Sequence, residues 1–291
     1  MIVKGDHILT ITLELNDKQI ALLNSLYQEY KRDNPVSPYV LYMYQPQDCV
    51  ITVYKSKKVV FQGNQADYYA SLFKDSELFS NHAGSDEVGT GDFYGPICVC
   101  ACIVSDNDEM LLNSLGIRDS KMLSDSQIMT IAPKLIKKLK HSLLILDNLK
   151  YNQVHHTNNM NVIKAKMHNQ AYINLAKKQT LPKLIVIDQF TPQKNYFNYL
   201  KDEPKVIKDI IFVTKAESKY TAVACASIIA RYAFLESLKK MEEQYQWQFL
   251  KGAGKAVDEN AKAFVNKFGK DKLKLVAKMN FKNTIRVLNE I

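Results

Sequence analysis

The chain changes its hydrophobic pattern near residue 80, and this change constrains the fold more than any other feature of the sequence. Before it, strand-like runs at 39–45, 49–55 and 58–63 follow one another with short turns between them. After it, nearly continuous apolar runs such as YGPICVCACIV (94–104) alternate with longer helical stretches. The sequence therefore predicts two domains, residues 1–80 and residues 81–291.

The first 80 residues predict a small α+β domain. A strand-like run at 8–15 precedes a helical stretch, at whose start Asn16 and Gln19 have the spacing of a capping box. The three strand-like runs follow, and a second helical stretch covers 66–79. The order β-α-β-β-β-α favours an antiparallel sheet with helices on one face.

Residues 81–291 predict an α/β domain. Strand-like runs at 142–147, 181–188 and 209–215 alternate with helical stretches at 161–179 and 218–245. Early strands followed by alternating helix and strand are typical of a mixed sheet with helices on both faces. The residues after Lys251 predict a basic C-terminal helical segment.

Positive charge is concentrated in the second domain. Residues 1–80 contain eight Lys and Arg against nine Asp and Glu, whereas residues 81–291 contain 31 against 21, within a total net charge of +9. Such a surface suits a polyanion such as nucleic acid, although many proteins of similar charge bind none.

Composition predicts a cytoplasmic protein. Five Cys in 291 residues are too few for a disulfide framework and indicate a reducing compartment. We read no signal peptide at the N-terminus and no apolar run of the roughly 18 residues that a membrane helix needs, so we expect no membrane association. Nothing in the sequence indicates an oligomer, and a monomer is the default expectation.

Four acids stand at the ends of apolar elements in the basic domain. Asp86 and Glu87 lie in GSDEVGTGDFYGP, which holds four of the ten glycines, and Asp188 ends the apolar run LIVID. Glu217 lies just where the long helical stretch begins. Each acid alone has a simpler interpretation, as a solvated acid in a Gly-rich hairpin or a first-turn helix residue. Together they suit two divalent cations, which carboxylates hold in phosphodiester hydrolysis.

Four segments of the chain resemble the motifs of the type 2 ribonucleases H. GSDEVGTGDFYGP resembles the first motif and RDSKMLS (118–124) the second, while IVIDQF (185–190) and KAESKYTAVACASIIARY (215–232) resemble the segments with the last two acids. They occur in the expected order over residues 81 to about 232. Thr90 between two glycines, Glu at position 217 and a separate N-terminal domain favour ribonuclease HIII over ribonuclease HII.

The resemblance implies a fold and a reaction. The fold is the α/β ribonuclease H-like fold, a five-stranded mixed sheet with flanking helices, preceded by a small α+β domain similar to the TATA-binding protein. The acidic quartet is Asp86, Glu87, Asp188 and Glu217, which holds two Mg²⁺ or Mn²⁺ ions. The reaction is endonucleolytic hydrolysis of the RNA strand of an RNA–DNA hybrid, leaving 5′-phosphate and 3′-hydroxyl ends.

The resemblance also implies where the hybrid binds. The residues along the RNA backbone would be Gly89, Thr90, Gly91, Ser120 and Lys121. By the same resemblance, the N-terminal domain would be a substrate-binding domain. The sequence itself suggests its positive patch, because Lys55, Lys57 and Lys58 crowd together beside Tyr54 in the hairpin from Tyr54 to Val60. A solvated hairpin turn is the alternative for these lysines.

Two other functions compete with this interpretation. One is incision at single ribonucleotides in duplex DNA, as in ribonuclease HII, against which Thr90 and Glu217 argue. The other is a non-catalytic hybrid-binding protein, which predicts that at least one acid of the quartet is lost, whereas all four are present.

Overall fold

The structure, a computed structural model, describes residues 9–32, 37–73, 81–117 and 123–289. The chain divides into two compact units, Met1–His82 and Ala83–Ile291. This division lies close to residue 80, where the hydrophobic pattern of the sequence changes.

The first unit is an antiparallel sheet with two helices. In chain order its elements are β1 (Thr10–Glu14), α1 (Asp17–Tyr27), β2 (Val40–Tyr44), β3 (Cys49–Tyr54), β4 (Lys58–Gly63) and α2 (Ala66–Ser71). The strand order is β1-β4-β3-β2. The order β-α-β-β-β-α is confirmed, and Asn16 and Gln19 form the capping box that starts α1. The second helix was expected over 66–79, of which 74–79 lie outside the described residues.

Both helices of the first unit pack on one face of its sheet. Tyr44, Ile51 and Phe61 are direct partners across three neighbouring strands, and all three are fully buried. The ring of Tyr27, on α1, lies 6.4 Å from that of Tyr44. Phe73, just after α2, stacks on Phe61 at 5.8 Å. Alternation along the strands therefore forms this core, as the period-two pattern predicts.

The second unit contains a five-stranded mixed sheet. Its strands are β5 (His82–Val88), β6 (Ile97–Val104), β7 (His141–Leu146), β8 (Leu184–Asp188) and β9 (Ile211–Val213). They are arranged in the order β7-β6-β5-β8-β9, with β6 and β7 antiparallel and β8 and β9 parallel. The predicted mixed sheet is confirmed.

Helices flank this sheet and continue to the C-terminus. They are α3 (Glu109–Ser114), α4 (Asp125–Lys138), α5 (Asn148–His155), α6 (Met160–Lys178), α7 (Gln193–Tyr199), α8 (Thr221–Tyr245), α9 (Lys255–Phe268), α10 (Lys270–Val276) and α11 (Lys282–Leu288). The predicted helical C-terminal segment is therefore present as α9, α10 and α11.

The strand β6 lies between two helical layers, and all eight of its residues are buried. Cys98, Cys100 and Cys102 pack in the core that α4 and α8 share, whereas Val99 and Ala101 pack in the core that α6 covers. The cysteines are free thiols. A strand that is apolar on both faces is typical of the middle of a three-layer α/β domain.

The start of α8 approaches β5 closely because of one glycine. A Cβ at Gly84 would lie 2.4 Å from the backbone nitrogen of Val223, so a larger residue would push the helix away. The small residues Ala222, Ala224 and Ala226 are buried at the same end of the helix. This close packing brings the beginning of α8 against the strand that carries Asp86 and Glu87.

The helix α8 contradicts our expectation that no apolar run of the chain approaches the length of a membrane helix. Within the described residues it is a helix that is long and apolar enough to cross a membrane by length and composition, with a mean hydropathy of 1.3 over its best window. In this fold it is a core helix, because it packs on β6 and α4 and buries its apolar side chains there.

Candidate active site

Four carboxylates line one cleft at the ends of β5 and β8. Asp86 and Glu87 lie near the end of β5, and Asp188 is the last residue of β8. Glu217 lies in a short 3₁₀ turn that precedes α8. The cleft has a volume of about 310 Å³. The structure therefore brings together all four acids that the sequence singles out.

The surroundings of Asp86 disfavour its ionised form. Burial, then the negative charge of Glu87, raises the pKa of Asp86 to about 8. A hydrogen bond from Ser227 and one of 2.8 Å from the Glu87 amide oppose this rise, and the charge of Asp188 adds to it. Without a cation, the cleft therefore favours a protonated Asp86 near neutral pH.

Glu87 is bound on both of its carboxylate oxygens. Lys164 Nζ donates to Oε1 at 2.6 Å, and His168 Nε2 lies 2.8 Å from Oε2. Burial acts to raise the pKa of Glu87, but the hydrogen bonds and charges of His168 and Lys164 hold it below its ordinary value. Glu87 is therefore an ionised carboxylate with two partners, whereas its neighbour Asp86 is destabilised as an anion.

Asp188 fixes the turn that carries Glu217. Its Oδ1 accepts a hydrogen bond of 2.8 Å from the backbone nitrogen of Ala216. Lys215 enters this turn in the left-handed conformation, with φ of 54°. Our expectation that Glu217 stands where the long helix begins is wrong in detail, since α8 starts only at Thr221. The separate turn is what directs the chain back towards Asp188.

The helix α8 supplies the remaining wall of the cleft. Ser227, Ile228 and Arg231 lie on one face of this helix and line the cleft, together with Ile128 of α4. Arg231 is held by Asp125 and by the carbonyl of Leu123, at 2.9 Å from the latter. Sequence reasoning missed these residues, although the spacing of Ser227 and Arg231 places them one helical turn apart.

The glycine-rich loop after β5 is fixed by the C-terminal segment. Gly89 has φ of +94°, and a Cβ there would lie 2.2 Å from the carbonyl oxygen of Pro96. Lys278 is fully buried and donates to the carbonyls of Asp92, at 2.9 Å, and Gly95. Burial lowers the pKa of Lys278 to about 7, while the charge of Asp92 acts to raise it. The C-terminal segment thus supports the loop from inside.

The proposed RNA-backbone residues are only partly described. Gly89 is buried, and Thr90 is half-buried. Gly91 is exposed, and a Cβ there would meet no atom within 4 Å. Ser120 and Lys121 lie outside the described residues.

The three lysines of the N-terminal hairpin differ in their surroundings. Lys57 forms an ion pair of 2.8 Å with Asp17, and its φ of 65° places it at the tight turn. All three lysines are exposed. The pairing leaves Lys57 less suited to a phosphate than its two neighbours.

The donor set of the cleft fits a hard divalent cation by its chemistry. Four carboxylates and the Ser227 hydroxyl offer only oxygen ligands, which Mg²⁺ and Mn²⁺ prefer. Among the described residues, however, no three His, Cys, Asp or Glu side chains are already gathered as a ligand set. In the structure both oxygens of Glu87 bind side chains of α6, and one oxygen of Asp188 binds the backbone nitrogen of Ala216.

Known proteins match both units of the chain in sequence. The family described as Ribonuclease HII matches residues 83–284, and a domain described only as one of unknown function matches residues 10–83. A ribonuclease HIII from Bacillus cereus is 38% identical over 92% of this chain and 95% of its own length. One from Bacillus anthracis is 38% identical over 90% of this chain and 94% of its own.

Solved structures agree with the sequence matches. Bst-RNase HIII in complex with Mn²⁺ is 32% identical, with a TM-score of 0.70, and the match covers 97% of this chain and 99% of that one. RNase H3 from Aquifex aeolicus is 26% identical, with a TM-score of 0.58 over 94% and 100% of the two chains. The fold, the cleft and these relatives together show that the chain belongs to the ribonuclease HIII family of type 2 ribonucleases H and is a ribonuclease H enzyme.

Proposed function

We propose that the chain hydrolyses the RNA strand of RNA–DNA hybrids with two divalent cations, Mg²⁺ or Mn²⁺, held by Asp86, Glu87, Asp188 and Glu217. The observation that carries this proposal is that the four acids line a single cleft. The raised pKa of Asp86 supports it, because a buried carboxylate that also faces a second anion is stabilised by a cation. The Mn²⁺ complex of Bst-RNase HIII supports the use of a divalent metal.

The proposed chemistry is attack of water on a phosphorus of the RNA strand. Divalent cations bound by the four carboxylates would activate this water and stabilise the leaving oxygen. The bond from phosphorus to the 3′-oxygen breaks, so the products carry a 5′-phosphate and a 3′-hydroxyl. Asp86 and Asp188, at the ends of neighbouring strands, keep the carboxylates in place on rigid elements.

The glycine-rich loop supports an RNA substrate. A protein distinguishes RNA from DNA through the 2′-hydroxyl, which a close backbone can contact. The open space at Gly91 leaves the backbone of this loop accessible, and Lys278 holds the carbonyl of the next residue, Asp92. We propose that Gly89, Thr90 and Gly91 contact the RNA strand here.

A substrate panel tests the function. An RNA–DNA hybrid, double-stranded RNA and a DNA duplex with one ribonucleotide are each incubated with the protein and Mg²⁺ or Mn²⁺. We expect internal cuts in the RNA of the hybrid, with products that a 5′-phosphate-dependent exonuclease degrades. Preferred cutting of the single-ribonucleotide duplex would favour the ribonuclease HII-like alternative, and no cutting of the hybrid would overturn the proposal.

We also propose that the first unit binds the hybrid. Because residues 1–80 have a net charge of −1, binding requires a local patch. Lys55 and Lys58 are the candidates, since both are exposed and lie outside the ion pair of Lys57 with Asp17. A Lys55/Lys58 double Ala variant should raise KM for the hybrid, with a smaller effect on kcat. Lys57→Ala is the control, because Lys57 is paired with Asp17. If deletion of residues 1–80 leaves KM unchanged, the unit does not bind substrate.

A further inference from the structure

Two side chains of α6 enclose the carboxylate of Glu87. Lys164 and His168 lie one helical turn apart, and each binds a different oxygen of Glu87, at 2.6 and 2.8 Å. The side chain of His168 is fully buried, while those of Lys164 and Glu87 are 10% and 11% exposed. Since the ionised carboxylate only accepts hydrogen bonds, His168 Nε2 is the donor in its contact.

Both side chains are themselves held in place. Ser85 Oγ lies 2.7 Å from His168 Nδ1, so both ring nitrogens have a partner. The ring of Phe190 stacks on His168 at 5.4 Å, and Lys164 Nζ lies 4.0 Å from the centre of the same ring. These contacts with Ser85 and Phe190 fix the orientations of His168 and Lys164 relative to Glu87.

We propose that Lys164 and His168 are positioning residues that orient Glu87 for catalysis, and that Lys164 competes with a divalent cation for this carboxylate. The proposal rests on the proposed function, in which Glu87 is one of the metal-binding acids. It is based on the contacts of Lys164 and His168 with both oxygens of Glu87, which lines the same cleft as the other three acids.

The competition follows from charge. The Lys164 ammonium lies 2.6 Å from Glu87 and partly neutralises the cluster that would bind the cation. Removing it makes the cleft more negative and frees one oxygen of Glu87, so the cation should bind more tightly. The freed carboxylate also loses its fixed orientation, so the chemical step should slow. Tighter metal binding and slower turnover are therefore expected in the same variant.

A purely structural role predicts a different result. If Lys164 only compensates the buried charge of Glu87, its loss lowers the thermal stability. In that case kcat falls only in proportion to the fraction of the variant that is unfolded. Metal affinity in the absence of substrate separates the two roles, because it responds to the charge at the cleft.

The experiment compares Lys164→Met with Lys166→Met in the full-length protein. Lys166 lies on the same helix but pairs with Glu203, so this control makes the same charge change away from Glu87. Isothermal titration calorimetry with Mn²⁺, without substrate, measures affinity, and hybrid cleavage at saturating Mn²⁺ measures kcat and KM. We expect Lys164→Met to bind Mn²⁺ about tenfold more tightly and to lower kcat by about tenfold or more, with KM nearly unchanged. Lys166→Met should match the parent protein.

The possible outcomes decide between the two proposals. Equal Mn²⁺ affinity and kcat for the two variants would overturn the positioning role while leaving the proposed function intact. Failure of the parent protein to bind Mn²⁺ or cleave hybrid would overturn the proposed function and, with it, the role of Lys164. If circular dichroism shows that Lys164→Met is unfolded, Lys164→Gln makes the same comparison with a neutral polar side chain. His168→Gln, which retains a donor, should keep more of kcat than His168→Leu.

Discussion

Replacing Asp86 with Asn should stabilise the metal-free protein, and the gain should grow with pH. Asn cannot ionise and has nearly the same shape, so the substitution removes a charge that burial disfavours and that Glu87 and Asp188 repel. The pKa of Asp86 is higher in the folded protein than in the unfolded chain. Protonated Asp86 therefore contributes its whole share of the folding stability below about pH 4, and this share is lost as the pH rises through about 8. The parent protein therefore carries the cost of an ionised Asp86 at high pH, whereas the variant does not.

The size of this effect follows from the pKa of Asp86. A rise from 3.8 to about 8 corresponds to an upper limit of roughly 6 kcal/mol, at about 1.36 kcal/mol for each pK unit. Asp86 retains some exposure to the cleft, so solvent screening reduces this, and we expect about 1–3 kcal/mol. For a chain of 291 residues, that corresponds to an increase in Tm of about 2–5 °C.

Thermal unfolding followed by circular dichroism in EDTA, at pH 5.5 and pH 8.5, measures the gain. Asp202→Asn is the control, because Asp202 is exposed and lies away from the cleft. Saturating Mn²⁺ should reverse the order, since the parent protein binds the cation and the variant has lost a ligand. A Tm gain that is the same at both pH values, or a gain equal to that of Asp202→Asn, would refute the electrostatic reasoning.

Three further predictions concern the loop and the basic segment. Gly89→Ala should destabilise the protein by about 1–3 kcal/mol, because Gly89 has φ of +94° and lies close to the carbonyl of Pro96. Gly91→Ala should leave Tm unchanged, since a Cβ there meets no atom within 4 Å. Equal Tm values for the two variants would contradict the assigned strain. Lys278→Met should lower Tm because carbonyls of the loop lose their donor, whereas Lys272→Met, at an exposed position, should not. Thermal unfolding of the two variants checks both. A Lys270/Lys272/Lys274 triple Ala variant should reduce the slope of the logarithm of the hybrid-binding constant against the logarithm of the salt concentration. The reduction is up to about 0.9 for each phosphate that these lysines neutralise in the parent protein. An unchanged slope would mean that this segment faces away from the hybrid.

Strong local signals in the sequence predicted the sheet and the acids on its strands. The continuous apolar run of β6 and the apolar run that ends at Asp188 are recognisable without tertiary information, because each is longer than its flanking turns and lacks helical periodicity. The capping box of Asn16 and Gln19 is equally local, since both partners lie within one helical turn.

Features that depend on the packing of distant residues were not predictable. Lys164 and His168 have helical spacing, but the sequence does not indicate that their face of α6 meets Glu87, which is 77 residues from Lys164. The separate turn of Glu217 depends on the bond between Asp188 and Ala216. The short helix α5 was also missed, because it is partly exposed and begins at a cap, Asp147, that follows directly on a strand.

Cleavage of an RNA–DNA hybrid by four single variants tests the central claim most directly. Asp86→Asn, Glu87→Gln, Asp188→Asn and Glu217→Gln each remove one charge from the cleft with little change in shape. At saturating hybrid and Mg²⁺, with folding verified by circular dichroism, each should lower kcat by about 100-fold or more, since the acids are proposed to act as one metal site. A folded variant that cleaves the hybrid at nearly the parent rate would contradict the assignment of that acid to the site.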